Sequence, residues 1–311
     1  MKDYKVVFET LYKEIGKVVV GQNEMIEQVM IAVLCESNAL LEGYPGLAKT
    51  LVVKTLAEAM DLKFNRIQNT PDLMPSDITG THIIEEVGGK RQFKFQPGPL
   101  FANIVLADEI NRATPKTQSA LLESMQEKQV TVGNSTFKLD LPFFVLATQN
   151  PIEQEGTYPL PEAQSDRFLL KIQAVYPKAA EEEKIVDIYT THSEKPKIKV
   201  LLSKEQLLHL QKTTKQVPIS NELKRKAINI VRSTRERKDL IQYGASPRAS
   251  IGLVIAAKAR ALMHGRNHVS SEDIGVMALP VLRHRIILNF EAERKGMKTD
   301  DAIIDILKKV K

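Results

Sequence analysis

Apolar residues follow two different rhythms along the chain, and the change falls near Pro177. Before it, short apolar runs alternate with stretches that repeat every three or four residues. The runs are Ala39 to Leu41, Phe64 to Ile67, Ile104 to Ala107, Phe143 to Ala147 and Phe168 to Ile172. Runs of this length bounded by turn residues predict buried strands, and the pattern between them predicts helices. Their alternation predicts an α/β fold, with a parallel sheet covered by helices on both faces. From Leu73 to Pro99 the rhythm breaks. Pro75, Gly80, the Gly88-Gly89 pair, Pro97 and Gly98 punctuate alternating residues there, which predicts an insertion with hairpin character. A second hairpin is predicted over Lys128 to Leu141, where Val130, Val132, Phe137 and Leu139 flank a Gly133-Asn134 turn.

Beyond Tyr176, Pro177 and Lys178, helical patterns alone persist. Ser203 with Gln206, and Ser270 with Asp273, have the spacing of capping boxes that start helices. The chain therefore divides into an α/β domain over 1–177 and an all-helical domain over 178–311.

Composition narrows the function classes. With 311 residues, 43% hydrophobic and 26% charged, the chain buries a sizeable core and is not an intrinsically disordered segment. A single Cys, Cys35, excludes an intrachain disulfide and fits a reducing compartment, so a cytoplasmic location is expected. No apolar run approaches the ~20 residues of a membrane-spanning helix. The first residues carry charges of both signs and predict no leader. The net charge of +6 permits an anionic ligand without defining one. Lys308, Lys309 and Lys311 read as a solvated helix end.

The strongest chemical signal is Gly43, Tyr44, Pro45, Gly46, Leu47, Ala48, Lys49 and Thr50. It follows the first apolar run and opens a helical pattern, which is the context of a phosphate-binding loop. Backbone N–H groups of such a turn bind phosphate oxygens, and the helix N-terminus adds favourable charge. Lys49 is expected to reach the β- and γ-phosphates of ATP or ADP, and Thr50 to hold Mg²⁺. The general pattern has Gly where this chain has Ala48. Ala48 is expected to adopt ordinary helical angles at the helix start.

Asp108 and Glu109 close the run Ile104 to Ala107, at the strand end where α/β sheets bind ligands. Beside a phosphate loop, Asp108 is expected to complete the Mg²⁺ shell, and Glu109 to orient and deprotonate the attacking water. Thr148, Gln149, Asn150 and Pro151 follow a further run. An amide at Asn150 suits contact with the γ-phosphate, and Asn-Pro equally suits a plain turn. Arg112, Arg167 and Arg248 are candidate charge donors, although each alone also fits a surface position. His264 and His268 have a metal-like spacing, but Gly265 stands where a zinc-protease motif needs Glu, so no metal beyond Mg²⁺ is expected.

Together the motifs resemble those of AAA+ ATPases of the MoxR family. The resemblance rests on GYPGLAKT, LMPSDITG, GPLFANIVLADEINRA, KTQSALLESMQE, ATQNPIEQEGTYPLPEAQSDRF, SPRAS and VLRHRI, in that order. It spans about Val19 to Leu288, and the family also carries Ala before the loop lysine. The resemblance implies a five-stranded parallel sheet of order 5-1-4-3-2, counting strands along the chain, with a helical lid. It makes Lys49 and Thr50 the Walker A pair, Asp108 and Glu109 Walker B, and Asn150 sensor 1. Arg167 matches the arginine finger and Arg248 matches sensor 2 on the lid. Val20 and Gly21, within Val19 to Gln22, match a segment that packs on adenine. The insertion over 73–99 matches the helix-2 insert, and the hairpin over 128–141 matches the one preceding sensor 1. In ring-shaped relatives both face the pore.

The same resemblance implies ATP hydrolysis in a homo-oligomer, a hexameric ring or spiral. Nucleotide touching both core and lid would alter their angle. The work would be chaperone-like remodelling of client proteins, including metal insertion, alongside a von Willebrand factor A domain partner. Two alternatives are a nucleic-acid motor and a slow nucleotide-gated binding module. The second hairpin argues against the motor, with only Lys128 and Lys138 as basic residues and Phe137 as its one aromatic. An intact Glu109 argues against the slow module.

Overall fold

A computed structural model describes residues 4–87, 90–152, 156–191 and 196–310. The Gly88-Gly89 pair, Lys311 and residues 153–155 of the ATQNPIEQEGTYPLPEAQSDRF stretch lie outside them. The α/β part runs α1 (Tyr4–Ile15), α2 (Asn23–Leu34), β1 (Ala39–Glu42), α3 (Lys49–Ala59), β2 (Phe64–Gln68), α4 (Pro75–Thr79), β3 (Gly80–Val87), β4 (Lys90–Pro97), β5 (Ile104–Asp108), α5 (Pro115–Glu127), β6 (Gln129–Val132), β7 (Ser135–Lys138), β8 (Phe144–Gln149), α6 (Glu162–Ser165) and β9 (Leu170–Gln173). Then come α7 (Ala179–Thr191), α8 (Lys204–Gln216), α9 (Asn221–Glu236), β10 (Ile241–Tyr243), α10 (Pro247–Met263), α11 (Ser271–Leu282), β11 (Ile287–Leu288), α12 (Phe290–Arg294) and α13 (Thr299–Lys309).

The central sheet is parallel and has the order β2-β5-β8-β1-β9. Counted as the five apolar runs, this is 5-1-4-3-2 read from the other edge, as the resemblance implies. Every residue of β5 is buried, because both faces of the sheet are covered. Alternate residues feed two cores. Ile104, Leu106 and Leu146 join the cluster with α1 to α3, whereas Val105, Ala107 and Val145 join that with α5. The first cluster continues without a break into α8, α10 and α11 of the second part.

Both insertions are antiparallel ribbons. β3 pairs β4 from Gly80–Pro97 to Val87–Lys90, and β6 pairs β7 around Gly133 and Asn134. Phe95 of β4 stacks on Phe137 of β7 at 3.9 Å between centroids and 10° between planes. The two ribbons are thus joined by an aromatic contact that no local pattern encodes.

Among its described residues the second part is helical, apart from one short antiparallel pair, β10 with β11. Three and two residues are too short for a periodicity to register. Both expected capping boxes form. Ser203 Oγ accepts from Gln206 N at 3.3 Å, and Ser270 Oγ from Asp273 N at 3.2 Å. This part docks on the amino ends of the sheet strands. Gln211 donates to Val33 O at 2.7 Å, and Gly252 faces the Leu169 side chain. The VLRHRI stretch then clamps the approach to β9. Arg283 donates to Lys171 O at 3.2 Å and His284 Nε2 to Phe168 O at 3.0 Å. Arg285 donates to Leu169 O at 2.9 Å.

Burial holds the His284 pKa well below the ordinary imidazole value, and the nearby Arg285, Lys171 and Arg283 charges act in the same direction. Above pH of about 6.5 both folded and unfolded chains are neutral there, so the group contributes no slope. Below it the unfolded chain takes up a proton that the folded chain refuses. Stability should therefore fall with pH by up to about 1.4 kcal/mol per unit from this residue. Thermal unfolding at pH 7.5, 6.5 and 5.5 checks this, and His284→Gln should flatten the slope below 6.5.

Candidate active site

The carboxyl ends of β1, β5 and β8 lie side by side, with Leu41 paired to Thr148 and Ala107 to Ala147. Each strand releases one candidate segment at this edge. Gly43 leaves β1 and its N–H donates to Gln149 O at 3.2 Å, tying the candidate phosphate loop to the end of β8. A Cβ on Gly43 would stand 2.6 Å from the Ala174 Cβ, so a side chain has no room there. Pro45 and Gly46 are exposed and Leu47 is buried, which leaves the loop open to solvent but anchored.

Ala48 differs from the expectation. It lies in the left-handed region at φ 57°, ψ 19°, one residue before α3 begins. The turn reverses chirality here so that Lys49 starts the helix, and Ala carries out what Gly does more cheaply. The strain amounts to about 1–2 kcal/mol. Ala48→Gly should therefore raise unfolding free energy by about 0.5–1 kcal/mol after the added chain entropy is counted. A loss of about 1 kcal/mol, as for Gly inside a right-handed helix, would contradict this conformation. Chemical denaturation decides between them.

Lys49 donates to Gly43 O at 2.6 Å, folded back across the loop that precedes it. Thr50 is half-buried in the first turn of α3. Asp108 is 8% exposed. Its Oδ1 accepts from Thr148 Oγ1 at 2.5 Å, and its Oδ2 accepts from Arg66 at 2.6 and 3.1 Å. Glu109 sits at φ 55°, again left-handed, and its N–H donates to Thr148 Oγ1 at 2.9 Å. Its Oε2 accepts from Gln68 at 2.8 Å and from Arg112 at 3.2 Å. Thr148 therefore orients both acids with one hydroxyl. Asn150 is buried at the end of β8, with Oδ1 accepting from Ile152 N at 3.2 Å.

Sequence reasoning missed Arg66, Gln68 and Thr148. Thr148 carried a signal, being a hydroxyl level with the paired acids in the ATQN stretch. Arg66 and Gln68 carried none, because their relation to Asp108 exists only once β2 pairs β5.

Val20 and Gly21 lie beside α7. Gly21 faces the Glu181 carboxylate, and a Cβ there would meet Oε2 at 2.7 Å. Gln22 donates to Val175 O at 3.1 Å and Tyr189 to Val18 O at 3.1 Å, so this segment is held along the exit from β9.

Arg167 and Arg248 are not gathered with these groups. Leu170 pairs with Ala39 at the amino end of β1, and Leu169 N–H donates to Asn38 O at 2.8 Å. Arg167 thus precedes the sheet on the edge opposite the phosphate loop. β1 alone puts four residues, about 13 Å of strand, between the two edges. Arg167 is exposed and makes no side-chain hydrogen bond or ion pair among the described residues. Arg248 lies on the same edge, its Nη1 3.7 Å from Asp166 Oδ2. Ser246, two residues before Arg248, donates to the same Asp166 carboxylate at 3.0 Å, which fixes the start of α10 on this edge. Arg112 alone of the three stands beside Glu109.

An oxygen-only donor set of one carboxylate and one hydroxyl suits Mg²⁺, which takes its remaining ligands from phosphates and water. Arg66 pairs with Asp108 Oδ2 at 2.6 Å, so a metal taking that oxygen would have to displace the guanidinium.

Comparison with known proteins agrees with this geometry. Residues 38–170 match the profile of the ATPase family associated with various cellular activities, and residues 233–307 match that of the AAA lid domain. The chain is 43% identical to the chaperone MoxR1 of Mycobacterium tuberculosis over 305 residues, covering 96% of this chain and 80% of that one. It is also 43% identical to the protein YeaC of Bacillus subtilis, covering 96% and 92% respectively. A crystal structure of an ATPase candidate from Cytophaga hutchinsonii superposes with a TM-score of 0.92 at 47% identity, covering 99% of this chain and 95% of that one. The fold and the site thus define an AAA+ ATPase, an enzyme that binds and hydrolyses nucleotide. The chain belongs to the MoxR family of these ATPases. Among the described residues no helix is long and apolar enough to cross a membrane.

Proposed function

We propose that this ATPase hydrolyses ATP at a site completed by a neighbouring copy, and that turnover remodels a client protein. One observation carries the reading. Lys49, Asp108 and Glu109 sit at one edge of the sheet, while Arg167 and Arg248 sit at the other. A single subunit cannot bring its own Arg167 to its own phosphates without dismantling β9. A head-to-tail assembly of the hexameric kind would bring one subunit's arginine edge against the next subunit's phosphate loop.

In that assembly, N–H groups of the loop from Gly43 to Thr50 cradle the phosphates, and Lys49 exchanges Gly43 O for phosphate oxygens. Thr50 and Asp108 would hold Mg²⁺, which supplies charge neutralisation when bound. Glu109, aimed by Thr148, accepts the proton of the attacking water, and Asn150 orients that water or the γ-phosphate. Arg167 and Arg248 of the neighbour stabilise the charge that spreads over the transferring group. Val20 and Gly21 contact the base. The division near residue 177 separates this machinery from the part that carries Arg248.

A chaperone role is supported by the name of the Mycobacterium tuberculosis relative, and by surface on the first ribbon. Ile84 and Phe93 are cross-strand partners, 62% and 78% exposed, and offer an apolar pair to a client segment. Metal insertion and a von Willebrand factor A domain partner belong to the same reading. A nucleic-acid motor fits less well. Lys128, one of two cations on the second hairpin, is tied to Phe143 O and has its pKa pushed down to about 8 by burial. The specific ATPase rate measured from nanomolar to tens of micromolar subunit tests the shared site. The rate per subunit should rise and saturate. A flat rate in a sample shown to stay monomeric throughout would contradict sharing.

A further inference from the structure

Between the exposed Arg167 and the lid lies one carboxylate that the proposed chemistry does not use. Asp166 ends α6 and is partly buried. Its Oδ1 accepts from Arg285 Nε at 2.8 Å. Arg285 is only 3% exposed, and its remaining donors hold the carbonyls of Asp166, Phe168, Leu169 and Val281. Asp166 Oδ2 accepts from Ser246 Oγ at 3.0 Å. Ser246 caps α10, its hydroxyl also accepting from Arg248 N at 3.2 Å, and the Arg248 guanidinium stands 3.7 Å from the same Oδ2.

These contacts tie two arginines from distant parts of the sequence to one side chain. Arg167 is the next residue along the chain. It is followed by Phe168, which is fully buried in the core. The backbone of Arg167 is therefore pinned on one side by Phe168 and on the other by Asp166. Arg248 is aimed by the cap at Ser246, and that cap is docked on Asp166. Moving the start of α10 would move Asp166, and Arg167 with it.

We propose that Asp166 is a positioning residue that holds Arg167 and Arg248 as one unit for presentation to the neighbouring subunit's nucleotide, an inference that rests on the shared-site reading above. It touches no substrate itself. Its effect falls on the subunit that donates arginines and not on the subunit that hydrolyses. A residue needed only for folding would act equally in both.

Mixed assemblies separate these roles. Arg167→Ala subunits keep Glu109 and act as acceptors, while Glu109→Gln subunits keep Arg167 and act as donors. Their mixture gives the reference rate. Asp166→Asn introduced into the donor should lower that rate about tenfold, within the range found for residues that transmit coupling. Introduced into the acceptor it should change the rate less than about twofold, and KM for ATP should be unchanged in both. Equal losses in the two positions, or no loss in the donor, would overturn the proposal. A reference mixture without activity, despite demonstrated co-assembly, would overturn the shared site itself and this inference with it. Should Asp166→Asn fail to fold, Ser246→Ala removes one hydroxyl and leaves the Arg285 pair intact. It should lower the donor rate about threefold with the same asymmetry, and a symmetric effect would again overturn the assignment.

Discussion

Arg167→Ala should lower steady-state ATP hydrolysis by about 10³-fold or more, the range found when an arginine finger is removed from other phosphoryl-transfer enzymes. ATP affinity of the isolated subunit should change less than about twofold, because Arg167 lies on the far edge of the sheet from the phosphate loop. Two features make the separation sharp. The side chain is exposed and has no partner among the described residues, so its loss should leave the fold intact. Its backbone is fixed independently by Phe168 and Asp166. Isothermal titration with a non-hydrolysable analogue, beside a coupled ATPase assay, checks both halves. Equal losses in affinity and turnover would place Arg167 at its own subunit's nucleotide.

Glu109→Gln should retain nucleotide and lose turnover by about 10²–10⁴-fold, the contribution of a positioned general base. The amide keeps the length of the side chain and an oxygen able to accept from Gln68 or Arg112. What disappears is the capacity to take a proton from water. Thr148 still receives the backbone N–H of residue 109, so the left-handed turn is preserved. Single-turnover hydrolysis of bound ATP isolates the chemical step from product release. Near-normal turnover would remove Glu109 from the role of base.

Much of this was legible in the sequence. Apolar runs bounded by turn residues marked the strands of the sheet, because parallel strands buried on both faces have no polar positions to blur them. The second ribbon was legible from its Gly133-Asn134 turn, the first from the alternating residues between Gly80 and Pro97, and the start of α8 from Ser203 and Gln206. The loop from Gly43 to Thr50 and the acids Asp108 and Glu109 could be singled out as candidates because their residues are contiguous in sequence. The relation of Arg66 to Asp108 was not legible, since it spans 42 residues and depends on which strands pair. Ala48 was misread because the position admits either hand of helix, and only the direction of the incoming strand decides between them. The side of the sheet on which Arg248 lies was not legible, for a similar reason. Its motif announces a helix start, whereas its side of the sheet follows from the docking of α10 and α11 through Arg285 and Leu169. The two short lid strands, β10 and β11, carry fewer residues than any alternation can reveal.

The claim that two subunits build one site is tested most directly by mixing two inactive variants. Arg167→Ala supplies an intact phosphate loop and Glu109 but no finger. Glu109→Gln supplies the finger but no base. At equal amounts and random assembly, roughly a quarter of head-to-tail interfaces join a working acceptor to a working donor. ATP hydrolysis per subunit should therefore recover to the order of a quarter of the wild-type rate. Co-assembled rings that stay as inactive as either variant alone would contradict the account.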